Sequence, residues 1–189
     1  MEILLVTGNP HKLLEIRSIL SEFRINVRVA RVRKLEVQSE DIAEISRTAA
    51  LHAARELGTT VVVEDAGLFI EALNGFPGPY SAYVFRTIGN EGIIRLMRGV
   101  KNRKAKFVSA VAYAHPDGRV NVFRGIAKGI ISEAPRGRGG FGFDPIFIPI
   151  EGDGRTYAEM TFEEKNKISH RGKAFRVLAK WLTEQGGSG

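Results

Sequence analysis

The apolar positions of the first 65 residues fall into three short runs separated by two amphipathic stretches. The first run, Ile3–Val6, is continuous, which is typical of a strand buried on both faces. The other two runs, Ile25–Val32 and Thr60–Val63, are rich in β-branched residues. The stretches between the runs carry apolar residues at helical spacing. This order predicts a β-α-β-α-β opening that contains parallel strands.

The two amphipathic stretches carry recognisable helix ends. In the turn Thr7–Pro10, Asn9 suits the cap of the first helix and Pro10 suits its first position. This helix is expected to bury Leu13, Ile16, Leu20 and Phe23. The second helix is expected over Asp41–Leu57, with a buried stripe of Ile42, Ile45, Ala49 and Ala53.

The middle of the chain predicts strands that fold back on one another. Leu68–Leu73 is a short apolar segment, followed by an irregular loop at 74–79 and a helix at Gly92–Met97. Lys106–Ala114 and Val120–Ile131 are long strand-like stretches on either side of a turn. They indicate an antiparallel hairpin.

A last strand and a last helix complete the predicted fold. The strand covers Asp144–Ile150, and the helix begins at Thr161, which forms a capping box with Glu164. The sum is an α/β fold, with a mixed sheet flanked by helices. We expect a single domain over residues 1–185, and a flexible tail at 186–189.

The composition narrows the class of protein and its partners. The chain has 189 residues and no cysteine, which excludes a disulfide scaffold, a thiol nucleophile and cysteine-ligated metal centres. No apolar run reaches eighteen residues, and the N-terminus lacks the basic region of a signal peptide. We therefore expect a cytoplasmic protein without a membrane partner. The net charge of +7 attracts phosphate, on a nucleotide or on nucleic acid, but an ordinary basic surface explains it equally well.

The segment Thr7–Lys12 lies where the first strand leads into the first helix. Free backbone N–H groups at a helix N-terminus attract anions, and Lys12 adds a positive charge. The segment is a candidate phosphate-binding loop, although a plain capped turn is the simpler interpretation of it alone. The glycine spacing of a Walker A loop is missing.

Adjacent carboxylates follow the third predicted strand, at the end where α/β sheets bind their ligands. Glu64 and Asp65 could hold Mg²⁺ together with substrate phosphates, or activate a water molecule. Glu36 and Glu40 follow the second strand and could lie close to them. The alternative is a solvated strand end.

A glycine-rich segment in the second half matches G-x-G-x-x-G at Gly137–Gly142. The residues after it predict a strand rather than a helix, which excludes a dinucleotide-binding site of that type. The neighbouring Phe141 and Phe143 could stack on a nucleobase, or they could be core aromatics beside a tight turn.

Hydrogen-bond donors are concentrated near the last helix. Lys165, His170 and Arg171 can all bond to carbonyl or phosphate oxygens, although a solvated helix face is the usual meaning of such a run. The histidines lack metal-ligand spacing and no G-x-S-x-G occurs, so a zinc peptidase and a serine hydrolase have no support.

Several separated blocks follow one another in a distinctive order: TGNPHK with Glu15 downstream, VEDAGL, NGFPGPYSA, GFGFDPIF and TYAEMTFEEKNKISHRGKAF. With these blocks the chain resembles the inosine triphosphate pyrophosphatase family from Thr7 to about Trp181. The resemblance implies an elongated mixed sheet flanked by helices, two lobes with a central cleft, and a homodimer.

The resemblance also implies roles for individual residues. Glu36 and Asp65 match the Mg²⁺ ligands, and Asp65 also matches the proton acceptor. The triphosphate-binding segment corresponds to Thr7, Gly8, Asn9, Pro10, His11 and Lys12. The base pocket corresponds to Phe141, Gly142, Phe143, Asp144, Lys165, His170 and Arg171. The position of Ala66 contacts substrate; bacterial relatives usually have Ser there, so this chain must use its backbone.

The implied reaction converts ITP, dITP or XTP and water into the monophosphate and pyrophosphate, with Mg²⁺ assisting attack of water at the α-phosphorus. Such an enzyme removes these nucleotides before they enter DNA or RNA. The 6-oxo group of hypoxanthine or xanthine accepts a hydrogen bond from Lys165, His170 or Arg171, whereas adenine presents a donor there.

Two other interpretations remain open. One is a Maf-type pyrophosphatase of similar fold that acts on other nucleotides. The other is a basic nucleic-acid-binding protein without catalysis, which the absence of a dense basic stripe disfavours. We therefore expect no stable nucleic-acid partner.

Overall fold

A mixed sheet flanked by helices forms the framework of the protein. The computed structural model describes residues 1–30 and 32–186, and all element bounds refer to these residues. The strands are β1 (Glu2–Val6), β2 (Asn26–Val29), β3 (Val61–Ile70), β4 (Pro77–Gly78), β5 (Lys104–Ala114), β6 (Val120–Ile131) and β7 (Phe147–Pro149). The helices are α1 (Pro10–Ser21), α2 (Ile42–Leu57), α3 (Ser81–Thr87), α4 (Gly89–Leu96), α5 (Phe162–Ile168) and α6 (His170–Gly186). The predicted fold class is confirmed.

The strands follow the order β2-β1-β3-β5-β6-β7, and β4 lies off this path and pairs with β3. β1 runs parallel to β2 and to β3, as the alternating pattern of the opening predicts. β4 and β7 are antiparallel to β3 and β6, respectively. β5 and β6 are neighbours joined by a five-residue turn, too short for the crossover that parallel strands need, so they form the predicted antiparallel hairpin.

The described chain folds into two compact units. The first contains residues 1–30, 32–65, 109–125 and 171–186. Its core has two apolar clusters, one of which packs Ile16 and Leu20 of α1 with Phe175 and Leu178 of α6. In the other cluster, small residues of α2 allow close approach to the valines of β3; the members include Ala49, Ala50, Ala53, Ala54, Val61 and Val63.

The second unit contains residues 66–108 and 126–170. Its core is more aromatic than that of the first unit, and Phe107 contacts Phe147 edge-on with ring centroids 4.8 Å apart. Tyr157 packs against the same two rings. This aromatic core supports the segments that carry Phe143 and Lys165.

The largest correction to the predicted elements concerns β3. The strand does not end at Val63 but continues to Ile70, because β4 pairs antiparallel with Leu68 and Phe69. Glu64 and Asp65 therefore lie within a strand. The parallel pairing with β1 nevertheless stops at Val63, so the two acids still lie just beyond the carboxyl end of β1.

Other boundaries also differ from the prediction. β2 is limited to Asn26–Val29, because the last β1 residue that pairs with it, Leu5, faces Val29. The predicted strand Asp144–Ile150 begins with a 3₁₀ turn and contributes only β7. The predicted last helix is two helices, because Ser169 has extended backbone angles (φ −71°, ψ 154°).

The remaining differences are local. α1 ends before Phe23, which is half-buried beyond the helix. α3 was not predicted, and α4 begins three residues before the predicted Gly92. Gly186 ends α6, whereas residues 187–189 of the predicted tail lie outside the described residues. No helix in the described part of the chain is long and apolar enough to cross a bilayer.

Candidate active site

The segment between β1 and α1 has the local structure that its sequence predicts. Asn9 is the N-cap residue, and its side-chain oxygen accepts hydrogen bonds from the backbone N–H groups of His11 (3.0 Å) and Lys12 (3.2 Å). Pro10 occupies the first turn of the helix. Gly8 is exposed, and no atom lies within 4 Å of the position that a Cβ would take there. The loop thus leaves open space at the positive end of the α1 dipole.

Behind this loop lies a buried network of charged side chains. Lys12 Nζ is 2.7 Å from Oε2 of Glu64. Arg171 reaches the other oxygen of Glu64 at 3.1 Å, and also pairs with Glu15 at 2.5 Å. The hydroxyl of Ser109 donates a hydrogen bond to Oε1 of Glu64 at 2.9 Å. The side chains of Arg171, Glu15 and Glu64 are at most 3% exposed, so each charge needs these partners to remain ionised.

Asp65 lies beside this network and is more accessible. Its Oδ1 accepts a hydrogen bond from Lys34 Nζ at 2.6 Å. Its Oδ2 is buried and has no hydrogen-bond partner in residues 1–30 and 32–186. Burial raises the pKa of Asp65 above its ordinary value, an effect that the charges of Lys34 and Lys12 oppose. A partly buried carboxylate with one oxygen available is suited to accept a proton or to bind a cation.

In the second unit, a glycine-rich loop brings its backbone against Asp144. Gly140 has φ +68°, and a Cβ there would overlap the Asp144 carboxylate. Phe141 donates its backbone N–H to Oδ2 of Asp144 at 2.9 Å. Gly142 also has a left-handed backbone, with φ +62°, but open space on its side-chain face. The glycines therefore permit a tight turn that holds a carboxylate, and the rejection of a dinucleotide-binding loop agrees with this geometry.

Lys165 is the cation that completes this arrangement. Its Nζ is 2.5 Å from Oδ2 of Asp144, and both side chains are 4% exposed. The same ammonium group lies 4.7 Å from the ring centroid of Phe141 and 5.5 Å from that of Tyr157. Lys165 is thus held in place by a carboxylate and two aromatic faces.

Other predicted base-pocket residues pack in the same unit. The His170 imidazole is stacked on Phe107, with centroids 4.6 Å apart and planes inclined by 10°. Phe143 is buried and contacts Phe85 edge-on at 5.4 Å. The amide of Asn90 donates a hydrogen bond to the carbonyl oxygen of Gly142 at 3.2 Å.

Comparison with known proteins identifies the family. The model of the Ham1 family matches residues 3–181. The chain belongs to the Ham1 family. It is 54% identical over 181 residues to a protein of Methanopyrus kandleri named dITP/XTP pyrophosphatase, covering 96% of each chain. It is also similar to a HAM1 protein structure from Coxiella burnetii, with a TM-score of 0.87 and 31% identity, covering 97% of this chain and 99% of that one.

A second similar protein, from Hyperthermus butylicus, is also named dITP/XTP pyrophosphatase. It is 52% identical over 184 residues, which cover 97% of this chain and 96% of that protein. The predicted family and the predicted enzyme class, a nucleoside-triphosphate pyrophosphatase, are therefore confirmed.

The predicted metal ligands have different surroundings in this Ham1 protein. Glu36 and Glu40 are exposed, and neither forms an ion pair within the described part of the chain. No cluster of three acidic or histidine side chains that could hold a metal ion occurs in residues 1–30 and 32–186. A magnesium ion needs only one or two carboxylates when phosphates supply further oxygens, and the available Oδ2 of Asp65 meets that requirement.

The contacts between the predicted site residues differ from the groups in which the sequence analysis placed them. In the first unit it brings together Lys12, Glu64 and Arg171, and in the second unit Phe141, Asp144 and Lys165. Arg171, predicted for the base pocket beside Lys165, is paired with Glu15 and Glu64. Ala66 follows Asp65 in β3 and is half-buried.

Some residues of these networks have no role in the sequence-based prediction. Lys34 and Ser109 come from segments far along the chain from the residues they bond. Glu15 lies downstream of the TGNPHK block and has no predicted role, but its position on the buried face of α1 is the signal that a charge there needs a partner.

Proposed function

We propose that this protein hydrolyses dITP, XTP and ITP to the monophosphate and pyrophosphate. The names of its close relatives support the substrate class. The observation that carries the proposal is that Asp65, with a buried oxygen available, lies in the same unit as the open helix N-terminus at Thr7–Lys12.

The proposed phosphate-binding residues are those of the loop between β1 and α1. Its backbone N–H groups and the α1 dipole favour an anion, and Gly8 leaves room for a phosphate oxygen close to the main chain. Lys12 carries the charge that balances the phosphates. Its present bond to Glu64 keeps the ammonium group at the end of the loop, where it can reach a phosphate while remaining neutralised.

Asp65 and Glu36 are the proposed Mg²⁺ ligands. When bound, Mg²⁺ supplies positive charge that neutralises the triphosphate and the leaving pyrophosphate. Asp65 is half-buried and already close to Lys34, whereas Glu36 lies two residues after Lys34 in an exposed segment. A shift of residues 34–36 would exchange the ammonium group of Lys34 for the carboxylate of Glu36 beside Asp65.

The proposed reaction is attack of water on the α-phosphorus. A bond forms between the water oxygen and the α-phosphorus, and the bond from that phosphorus to the bridging oxygen breaks, so pyrophosphate leaves. The proton from water passes to the Asp65 carboxylate, whose pKa is raised by burial and therefore suits a general base.

The proposed base recognition uses Lys165 and His170. The Lys165 ammonium group donates hydrogen bonds only, so it fits the 6-oxo group of hypoxanthine or xanthine and not the 6-amino group of adenine. Its pairing with Asp144 and its contact with Phe141 fix its position before substrate arrives. The selective removal of such purines would protect DNA and RNA synthesis.

A homodimer in the cytoplasm is the remaining part of the proposal. Five large apolar side chains between residues 76 and 88 are exposed, which supports contact with a second copy. They are Phe76, Tyr80, Tyr83, Phe85 and Ile88. Light scattering of the purified protein tests this: a mass of twice 20.8 kDa is expected, and a monomer would contradict it.

A nucleotide panel tests the substrate class. ITP, dITP, XTP, GTP, ATP and dTTP are each supplied with Mg²⁺, and pyrophosphate and orthophosphate are measured separately. Pyrophosphate release confined to ITP, dITP and XTP is expected. Turnover of dTTP would instead support a Maf-type enzyme, and release of orthophosphate would contradict cleavage at the α-phosphorus.

A further inference from the structure

One face of the sheet in the second unit carries exposed lysines. Along β5, Lys104 and Lys106 are exposed, whereas Ala105 and Phe107 are buried. Along β6, Lys128 is exposed between two buried residues. Because side chains alternate between the two faces of a strand, the three lysines share the face opposite the aromatic core.

The register of the hairpin places two of these lysines opposite each other. Near the turn, the backbone N–H of His115 donates a hydrogen bond to the carbonyl oxygen of Arg119. At the far end of the hairpin, the backbone N–H of Ile131 donates a hydrogen bond to the carbonyl oxygen of Arg103. The same pairing therefore holds along the whole hairpin, and it sets Lys106 against Lys128. This pair does not exchange backbone hydrogen bonds, so its Cα atoms are about 4.5 Å apart and its side chains lie close together. Like charges in such a position destabilise a sheet.

A cavity of about 650 Å³ lies over this face and is lined by all three lysines. Phe69 of β3 forms one side, with its ring centroid 5.9 Å from Lys106 Nζ. Glu71 is the one carboxylate among the lining residues, and it accepts a hydrogen bond from the side chain of Asn102 at 3.1 Å. Within residues 1–30 and 32–186, none of the three lysines forms an ion pair. The cavity thus has three positive charges and one negative charge.

We propose that this cavity binds a chain of phosphate groups. Several adjacent negative charges would remove the repulsion between Lys106 and Lys128, and a single chain can contact Lys104 as well, because residues two apart in a strand are about 6.6 Å apart. The volume is that of a small-molecule site rather than of a flat surface. The site lies within the second unit and uses none of the residues assigned above to catalysis.

Tripolyphosphate is the probe that tests this site. It is titrated into ¹⁵N-labelled protein in 0.15 M salt with EDTA, which removes divalent metal, and the backbone amides are followed by NMR. Saturable shifts are expected at residues 104–106 and 128. The double variant Lys106→Gln/Lys128→Gln should bind about tenfold more weakly, since each exposed charge contributes modestly. The same variant should melt at a higher temperature than the wild type without anion, because the like-charge pair is gone.

A matched variant, Lys101→Gln/Lys180→Gln, removes two exposed lysines elsewhere and should keep the wild-type affinity. Shifts confined to residues 7–12, or equal affinity in the two double variants, would overturn the proposal. The spectrum of each variant alone shows whether it is folded, and the single Lys128→Gln variant is used if the double one is not.

A nucleotide distinguishes the source of the phosphate chain. The α,β-methylene analogue of ATP is compared with tripolyphosphate by the shifts of residues 104–106. Equal affinity shows that the inorganic chain is sufficient. If the nucleotide binds more tightly and the Phe69→Leu variant loses this gain in affinity, a base stacks on Phe69. If neither compound causes shifts at residues 104–106, the proposal is overturned.

Discussion

Nζ of Lys34 lies 2.6 Å from Oδ1 of Asp65, so the carboxylate that we assign as proton acceptor is already paired with a cation. The other oxygen of Asp65 is buried and has no hydrogen-bond partner in the described part of the chain. The two oxygens therefore have different surroundings. One is neutralised by a lysine on an irregular segment, and the other is available for water or for a metal ion.

Replacement of Asp65 tests its catalytic role. Asp65→Asn keeps the shape of the side chain but removes the base, so kcat for dITP should fall by about 10²–10⁴. The fold should survive, because Asn can still accept a hydrogen bond from Lys34. Steady-state kinetics and thermal melting measure the two effects. Asp117→Asn, at the exposed hairpin turn, is the matched control and should leave kcat and the melting temperature unchanged. An unchanged kcat in Asp65→Asn would refute the role of Asp65 as proton acceptor.

The pH dependence of Asp65 follows from its burial. Burial raises its pKa above 3.8 while Lys34 opposes the rise, so Lys34→Gln should raise the pKa further. Because the pKa of Asp65 is higher in the folded than in the unfolded protein, its contribution to the free energy of unfolding is fully present below pH 3.8. This contribution is lost as the pH rises through the pKa of the folded protein. Carboxyl ¹³C shifts of the metal-free protein measure the titration. A pKa that stays the same or falls in Lys34→Gln would contradict the assigned pairing, whereas Lys101→Gln should change nothing.

The pair of Lys165 and Asp144 predicts a stability cost as well as a change of specificity. Both side chains are buried, so Lys165→Ala leaves Asp144 without its cation and should lower the free energy of unfolding by about 3–5 kcal/mol. Adding Asp144→Asn should recover part of that loss, because the buried charge is then removed. Lys167→Ala, exposed on the same helix, should cost little. Urea unfolding of the wild type and of these three variants measures the changes in the free energy of unfolding.

The same variants test recognition of the base. Where Lys165→Ala remains folded, the ratio of kcat/KM for dITP to that for dATP should fall relative to the wild type, because the donor to the 6-oxo group is missing. Lys167→Ala should keep the wild-type ratio. An equal loss on both nucleotides would show that Lys165 serves the fold alone.

The ion pair between Arg155 and Glu164 stabilises the first turn of α5, the helix that carries Lys165. Arg155 donates hydrogen bonds to both oxygens of Glu164, which lowers the pKa of Glu164 to about 2. Glu164 also closes the capping box of α5 with Thr161. In Arg155→Gln the pKa should rise towards 4.5. The stabilising contribution is present above pH 4.5 and is lost as the pH falls towards 2, so carboxyl NMR titration and acid unfolding should both change; an unaltered titration of Glu164 would contradict the pairing.

Local signals in the sequence were sufficient for part of this description. The cap at Asn9, the capping box at Thr161 and the β5–β6 hairpin were predicted correctly because each depends on residues close together in the chain. The continuation of β3 was not predicted, because it depends on pairing with β4 across an irregular loop.

The ion pairs of the site were not predictable from local sequence patterns. Arg171 pairs with Glu64, 107 positions away, and with Glu15, 156 positions away, so no local pattern signals these bonds. Likewise, nothing in the spacing of charges indicates that Lys34 contacts Asp65. The resemblance to a family indicates the segments that we propose for the site, and tertiary contacts determine which charges neutralise one another.

Isotope labelling tests the central claim most directly. dITP is hydrolysed with Mg²⁺ in water enriched in ¹⁸O, and the products are analysed by mass spectrometry. Attack at the α-phosphorus predicts one ¹⁸O atom in dIMP and none in pyrophosphate. Label in pyrophosphate, or orthophosphate as the product, would contradict the proposed reaction.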